Sequence, residues 1–216
     1  MKLYVYDHCP YCVRARMIFG FKQLPVELVY IQNDDEATPV GLIGKKAVPI
    51  LLKDDGSAMP ESLDIVRYVD QHYGEKCLSD QVRPELETMI KQIGSYYNHL
   101  LLPRFVQLGL PEYKTQSALD YFVNKKSASI GDFTENLAQT EQYLARLQQD
   151  LPMLETLILA GDKANGQQLS IEDIMLFPML RNLTCVKGVK FPAHIENYVN
   201  RMAKLTGIAL YTDKAI

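Results

Sequence analysis

Tryptophan is absent, and only four cysteines and four histidines occur in 216 residues. So low a cysteine content excludes a secreted disulfide scaffold. Charge of one sign is lacking too: 23 basic residues against 26 acidic ones leave a net charge of −3. There is no basic field of the kind that holds nucleic acid or an anionic membrane, so neither is expected as a partner. The apolar runs stop well short of the roughly 20 residues that a membrane span needs. Met1-Lys2 leads straight into strand-like LYVY, without the apolar core of a signal peptide. A cytoplasmic protein is the expectation. The 47% hydrophobic and 23% charged residues are ordinary for a globular chain. The length suits one large domain or two modest ones.

The first 74 residues alternate strand and helix signals. KLYVY is a short β-rich run, and CVRARMIFGFK carries helical spacing with Val13, Met17 and Ile18 on one side. VELVYI is apolar at nearly every position, as a strand buried on both faces should be. ATPVGLIGKK reads as a short helix ending in glycine. VPILLKDDGSAMP reads as a hairpin around Asp55-Gly56. ESLDIVRYVDQHYG is an amphipathic helix, with Ile65, Val66, Val69 and Tyr73 on its stripe and Gly74 as terminator. The order is β-α-β-α-β-β-α, and the first two strands, joined through a helix, should be parallel.

Beyond a polar stretch the strand signals disappear. Met89, Ile90, Ile93, Tyr97, Leu100 and Leu101 line one helical stripe that Pro103 should bend or end. Leu137, Leu144, Leu147, Leu151, Leu154 and Ile158 approach a heptad repeat. That stripe suits a coiled-coil dimer or an antiparallel bundle, and Pro152 favours the bundle by interrupting a long straight coil. In LSIEDIMLFPML, Ser170 and Asp173 form a capping box with Leu169 and Ile174 at the staple positions, a structural feature. The divisions expected are an α/β domain over 1–75, a linker over 76–84 and an all-helical domain over 85–216.

Chemistry concentrates in YDHCPYCVRARMIFG, where Cys9 and Cys12 stand three positions apart. Structural zinc takes four ligands, often as two spaced pairs, and no second pair exists; no metal is expected. A permanent bridge between positions i and i+3 closes too small a loop to constrain the unfolded chain much. Thiol–disulfide exchange remains. Pro10 suits the first turn of a helix, which places Cys9 at the helix N-terminus, where exposed amides and the macrodipole stabilise a thiolate. Cys12, one turn inside, is positioned to attack a mixed disulfide on Cys9. A C-x-x-C between a first strand and its crossover helix is a thioredoxin-like signal. Cys77 and Cys185 stand alone and read as small core residues.

CPYC resembles the active site of dithiol glutaredoxins. The two-part layout resembles glutathione transferases, a thioredoxin-like domain followed by an all-α one. With ARMIFG, VPIL, MPES, LLPRF and LSIEDIMLFPMLRNLT, the chain resembles the large, transferase-shaped glutaredoxins of bacteria along almost its whole length. The resemblance implies a glutathione-dependent thiol–disulfide oxidoreductase with Cys9 as nucleophile and Cys12 as resolver. It implies glutathione as co-substrate, disulfide-containing or glutathionylated proteins as partners, and a monomer. It also implies a cis-proline turn at Val48-Pro49 whose Val48 backbone pairs with the tripeptide. Glu61 and Ser62 at the start of the next helix would take the γ-glutamyl end, although Pro-Glu-Ser alone is simply a good helix start. Tyr11 would line the cleft, with Tyr96, Tyr97 and His99 as candidates that core packing explains equally well. Lys45 and Lys46 are candidates for the glycine carboxylate, or a solvated pair. Where many small glutaredoxins carry Lys before the motif, this chain has Asp7-His8, so activation of Cys9 should rest more on the helix terminus. A transferase or dehalogenase using Cys9 alone, or a non-catalytic binding module of the same fold, are the alternatives; an intact Cys12 and PES argue against them.

Overall fold

The computed structural model describes residues 1–216. The first part runs β1 (Lys2–Val5), α1 (Pro10–Phe21), β2 (Glu27–Tyr30), α2 (Ala37–Ile43), β3 (Ile50–Leu52), β4 (Ala58–Met59) and α3 (Ser62–His72). Its sheet has the order β2-β1-β3-β4. β1 and β2 are parallel, with Leu3 opposite Leu28, as a crossover through α1 requires. β3 returns antiparallel, with Tyr4 opposite Ile50, and hairpins into β4. Gly56, at φ 84°, supplies the left-handed residue of that turn.

Leu3, Val5 and Leu51 are buried under α1 and α3, whose Val13, Met17, Ile18, Ile65, Val66 and Val69 complete this half of the core, while Ile50, opposite Tyr4, is buried on the other face of the sheet. At about 25 cal/mol per Å², each such side chain contributes roughly 1.5–3 kcal/mol to folding. β2 departs from the fully buried strand expected: its four residues are exposed to half-buried, because it forms the sheet edge.

The second part is helical: α4 (Pro84–Gly94), α5 (Tyr97–Phe105), a 3-10 turn (Pro111–Tyr113), α6 (Gln116–Ile130), α7 (Phe133–Ala138), α8 (Thr140–Glu155), α9 (Ile171–Leu183) and α10 (Ala193–Thr206). The stripe read across residues 89–101 is two helices. The break falls at Ser95-Tyr96, where the Ser95 hydroxyl and N–H both turn back to the Gln92 carbonyl. Pro103 neither ends nor precedes the break; α5 continues through it to Phe105. Pro152 likewise sits inside α8, which packs against α4 and α5 as an antiparallel bundle does.

α9 is the axis of the molecule, buried at all positions but Met175. Its start is the capping box expected, with the Ser170 N–H donating to Asp173 Oδ2 at 2.9 Å. Asp173 does more than cap: its other oxygen accepts from the Ala164 N–H at 2.8 Å and the Tyr198 hydroxyl at 2.9 Å, tying a loop and α10 to the cap. α1 packs on α9 and α10 as well as on the sheet, so a single core runs through both halves. Gly20 permits that contact, since a Cβ there would strike the Thr206 main chain. No helix is long and apolar enough to cross a membrane.

Candidate active site

Cys9 occupies the N-cap of α1, with Pro10 at the first helical position and the Val13 N–H donating to the Cys9 carbonyl at 3.0 Å. It is 9% exposed, while Cys12 beneath it is fully buried. Both are free thiols. The Tyr6 N–H points at Cys12 Sγ, 3.4 Å away. Cys9 therefore faces the cleft, and Cys12 lies hidden behind it.

The neighbouring Cys12 thiol is the largest influence on Cys9. It outweighs burial and, with the neighbouring His8 and the backbone N–H groups of Cys12 and Tyr11, brings the Cys9 thiol from 9.0 down to about 7. Burial, and then the neighbouring Cys9, push Cys12 well above its ordinary value. The expected order of causes is thus altered: the partner thiol leads, and the helix-terminal amides assist. Cys77, partly buried and donating to Asp70, is raised to about 11, and buried Cys185 to about 12. Neither joins the pair.

What precedes Cys9 is held by the helical half. His8 Nδ1 lies 2.5 Å from Glu112 Oε1, which also accepts from the His8 backbone N–H at 3.0 Å. The ring is packed among Tyr6, Phe105, Tyr113 and Phe122. Burial alone would raise the Glu112 carboxyl; its hydrogen bonds from His8 overcome this and hold it below its usual range. Asn182 donates to the His8 carbonyl at 2.8 Å, and Arg181 to that of Asp7 at 2.7 Å. The Asp7 carboxylate also meets Arg181 and Arg16, each at 2.9 Å, and the Tyr211 hydroxyl at 2.6 Å. Burial opposes its ionisation, yet these partners hold Asp7 well below the usual carboxylate range. Sequence reasoning missed this clamp. Its one visible signal was an arginine inside the apolar run IMLFPMLRNL.

Cys9 opens into a cleft of about 360 Å³ between the two halves. Tyr11, Lys46 and Val48 line it from the first half, together with Tyr97, Leu101, Tyr121, Phe122 and their neighbours from the helical one. Tyr11 is 54% exposed. The Val48–Pro49 bond is cis. The remaining expected residues lie outside the cavity lining. Ser62 is buried at the first position of α3, and exposed Glu61 caps it with φ 69°, a left-handed conformation that is strained for a non-glycine residue. Lys45 pairs with Glu61 at 2.9 Å, an exposed contact of small energetic weight. Lys46 instead leans over the Tyr121 ring at 3.6 Å, with Glu36 3.5 Å away. Of the helical-half candidates, only Tyr97 faces the cleft. The Tyr96 hydroxyl donates to Asp150, and His99 bonds Asn136 and stacks on Tyr143. No three His, Cys, Asp or Glu side chains gather as a metal site would.

Residues 3–77 match the model of the glutathione S-transferase N-terminal domain, and residues 85–215 that of the glutaredoxin 2 C-terminal domain. Glutaredoxin 2 of Escherichia coli K12 is 48% identical over 216 residues, covering 100% of both chains. The crystal structure of glutaredoxin 2 from Salmonella typhimurium in complex with glutathione superposes with a TM-score of 0.97 at 48% identity, covering 100% of this chain and 98% of that one. A glutathione S-transferase of Ceriporiopsis subvermispora shares the fold at 14% identity, with a TM-score of 0.68 over 95% of this chain and 94% of its own.

Proposed function

The chain belongs to the glutaredoxin 2 family, and we propose that within it Cys9 is the nucleophile and Cys12 the resolving thiol of a Cys-Pro-Tyr-Cys dithiol. The protein is a glutathione-dependent thiol–disulfide oxidoreductase. One observation carries the assignment of roles. Cys9 lines the cleft while Cys12 is fully buried behind it, and their surroundings lower the Cys9 thiol to about 7 and raise that of Cys12.

The Cys9 thiolate attacks a disulfide sulfur, forming a mixed disulfide and releasing the other sulfur as a thiolate, which takes up a proton. With a protein disulfide, Cys12 loses its proton, attacks Cys9 Sγ and frees the second protein thiolate, leaving Cys9–Cys12 oxidised. One glutathione thiolate opens that bridge to a Cys9–glutathione disulfide, and a second attacks the adduct, giving glutathione disulfide and restoring the dithiol. With a glutathionylated partner, Cys9 attacks the glutathione sulfur and releases the partner thiolate, and only the last exchange then has to follow.

For glutathione we propose the wall formed by the first half of the chain. Val48 pairs with the tripeptide backbone, and Tyr11 and Pro49 flank its sulfur. The Ser62 N–H and hydroxyl at the start of α3 meet the γ-glutamyl carboxylate, and Glu61 meets the ammonium. Lys46, on the cavity side, suits the glycine carboxylate better than Lys45, which Glu61 already engages. Binding then exchanges the Lys45–Glu61 contact for one to the ligand. The protein partners proposed are disulfide-bearing or glutathionylated proteins, met by a monomer made of the units 1–75 and 85–216 joined by 76–84. A cytoplasmic location is proposed with this chemistry, because turnover draws on a reducing glutathione pool.

Serine variants test the division of labour. Cys9→Ser should abolish all glutathione-linked turnover. Cys12→Ser should retain removal of glutathione from mixed disulfides and fail on protein disulfides. Equal loss from both substitutions refutes the assignment, and a silent Cys12→Ser points to one-cysteine transferase chemistry instead.

A further inference from the structure

The cleft has a second wall that the glutathione reading leaves unused. Although the chain is net acidic, the charged side chains lining the cleft are Lys46, Lys125 and Lys126, with no carboxylate among the lining residues. Lys46 belongs to the glutathione side, where Glu36 at the rim partly neutralises it. Lys125 and Lys126 are on α6, beyond the Tyr121 ring over which Lys46 leans. Lys125 donates to the Tyr121 hydroxyl at 3.3 Å and lies 5.4 Å from that ring; Lys126 lies 5.9 Å from the Phe122 ring. Both ammonium groups lie beside aromatic rings and neither forms an ion pair; Glu36 reaches Lys125 only through the Tyr121 hydroxyl, which donates to it at 2.9 Å, and no carboxylate contacts Lys126. The polar Asn98 and Ser129 extend the same wall.

We infer that this α6 wall recognises the polypeptide half of a glutathionylated substrate, with Lys125 and Lys126 receiving carboxylates that flank the modified cysteine. The inference rests on the glutaredoxin chemistry proposed for Cys9. In that exchange Cys9 attacks the glutathione sulfur, the glutathione–polypeptide S–S bond breaks, and its electron pair leaves on the polypeptide sulfur, which is then protonated. Attack is in line, so the departing polypeptide sulfur lies on the side of the glutathione sulfur away from Cys9, at the cleft mouth, and with glutathione against the Val48 side the flank left open there is the α6 wall. Unpaired cations there favour acidic segments through both encounter rate and contact, and disfavour basic ones.

Two glutathionylated hexapeptides, alike except that Glu flanks the cysteine in one and Gln in the other, provide the probe. The protein should turn over the acidic peptide with a kcat/KM roughly three- to tenfold higher, and the preference should shrink as salt is raised. In Lys125→Gln/Lys126→Gln the ratio should collapse toward one, and in Lys125→Arg/Lys126→Arg it should persist. Equal turnover of both peptides by the unmodified protein, or a ratio that survives the glutamine variant, overturns the inference while leaving the glutaredoxin reading intact. Failure to turn over either peptide overturns both.

Discussion

If the Cys12 thiol is the main support of the Cys9 thiolate, removing that donor should cost Cys9 its low ionisation point. A hydrogen bond to a charged group is worth about 1.5–3 kcal/mol, which at 1.36 kcal/mol per pH unit is about one to two pH units. Cys12→Ala should therefore move the Cys9 midpoint from about 7 to roughly 8–9. Cys12→Ser keeps a donor and should move it less. The measurement is the rate of iodoacetamide alkylation of the reduced protein as a function of pH. At pH 7 the ionised fraction falls from about one half to between about one tenth and one hundredth. Rate alone understates the change, because a more basic thiolate is intrinsically more reactive, so the midpoint is the deciding quantity. Cys77 and Cys185, raised to about 11 and 12, do not titrate in this window. A midpoint still near 7 in the alanine variant would refute the argument and return the role to the helix terminus and His8.

Three further outcomes are expected. Ser62→Ala should weaken apparent glutathione affinity by roughly one to two decades through loss of a charge-assisted bond, and unchanged glutathione kinetics in the folded variant would dismiss the pocket assignment. Asp7→Asn should lower stability at pH 7 by about 3–5 kcal/mol, since it leaves the Arg181 guanidinium without its carboxylate. The Asp7 carboxyl is depressed in the folded state, so its contribution is present above its unfolded value and lost as pH falls through the folded one. The gap in urea midpoints should accordingly narrow below about pH 4, and a gap constant with pH would contradict the ion-pair account. Ser170→Ala should cost about 1 kcal/mol of stability without altering turnover, because the cap lies far along the chain from Cys9 and the Ser170 N–H bond to Asp173 survives; lost turnover at unchanged stability would count against it.

Local signals made the first half of the fold legible. The alternation of periods, the Asp55-Gly56 turn and the amphipathic stripe of α3 each report on residues near one another in sequence, and the structure places those elements accordingly. The position of Cys9 at a helix start was legible for the same reason, since Pro10 marks it. The helical half was harder. A continuous apolar stripe says that residues share a face, not that the backbone continues, so the break at Ser95-Tyr96 was hidden while Pro103, the visible breaker, was tolerated inside α5. Proline near a helix end removes one bond and disturbs little beyond the last turn. Beyond that one arginine the clamp on Asp7 and His8 left no signal, because its partners in the helical half lie more than one hundred residues away, and nothing local distinguishes a surface Glu112 from one that is fully buried.

That clamp bears on why a thioredoxin-like unit carries so large a helical companion. Burying Glu112, Asp7 and Arg181 imposes a desolvation penalty that ion pairing offsets only with good geometry, so such groups are poor candidates for adding net stability. They are good candidates for fixing position. The main chain of Asp7 and His8 is bonded by Arg181, Asn182 and Glu112, all from the helical half. This locks the two peptide units before the nucleophile against α9 and the 3-10 turn. The turn bearing Cys9 is thereby anchored on one side by β1 and α1 and on the other by residues that a small, single-domain thioredoxin-like unit lacks. Where a lysine before the motif would supply charge alone, Asp7-His8 supplies attachment. Activation is then left to the partner thiol, the helix amides and the His8 ring, and the same attachment sets the floor of the cleft at a fixed distance from its α6 wall.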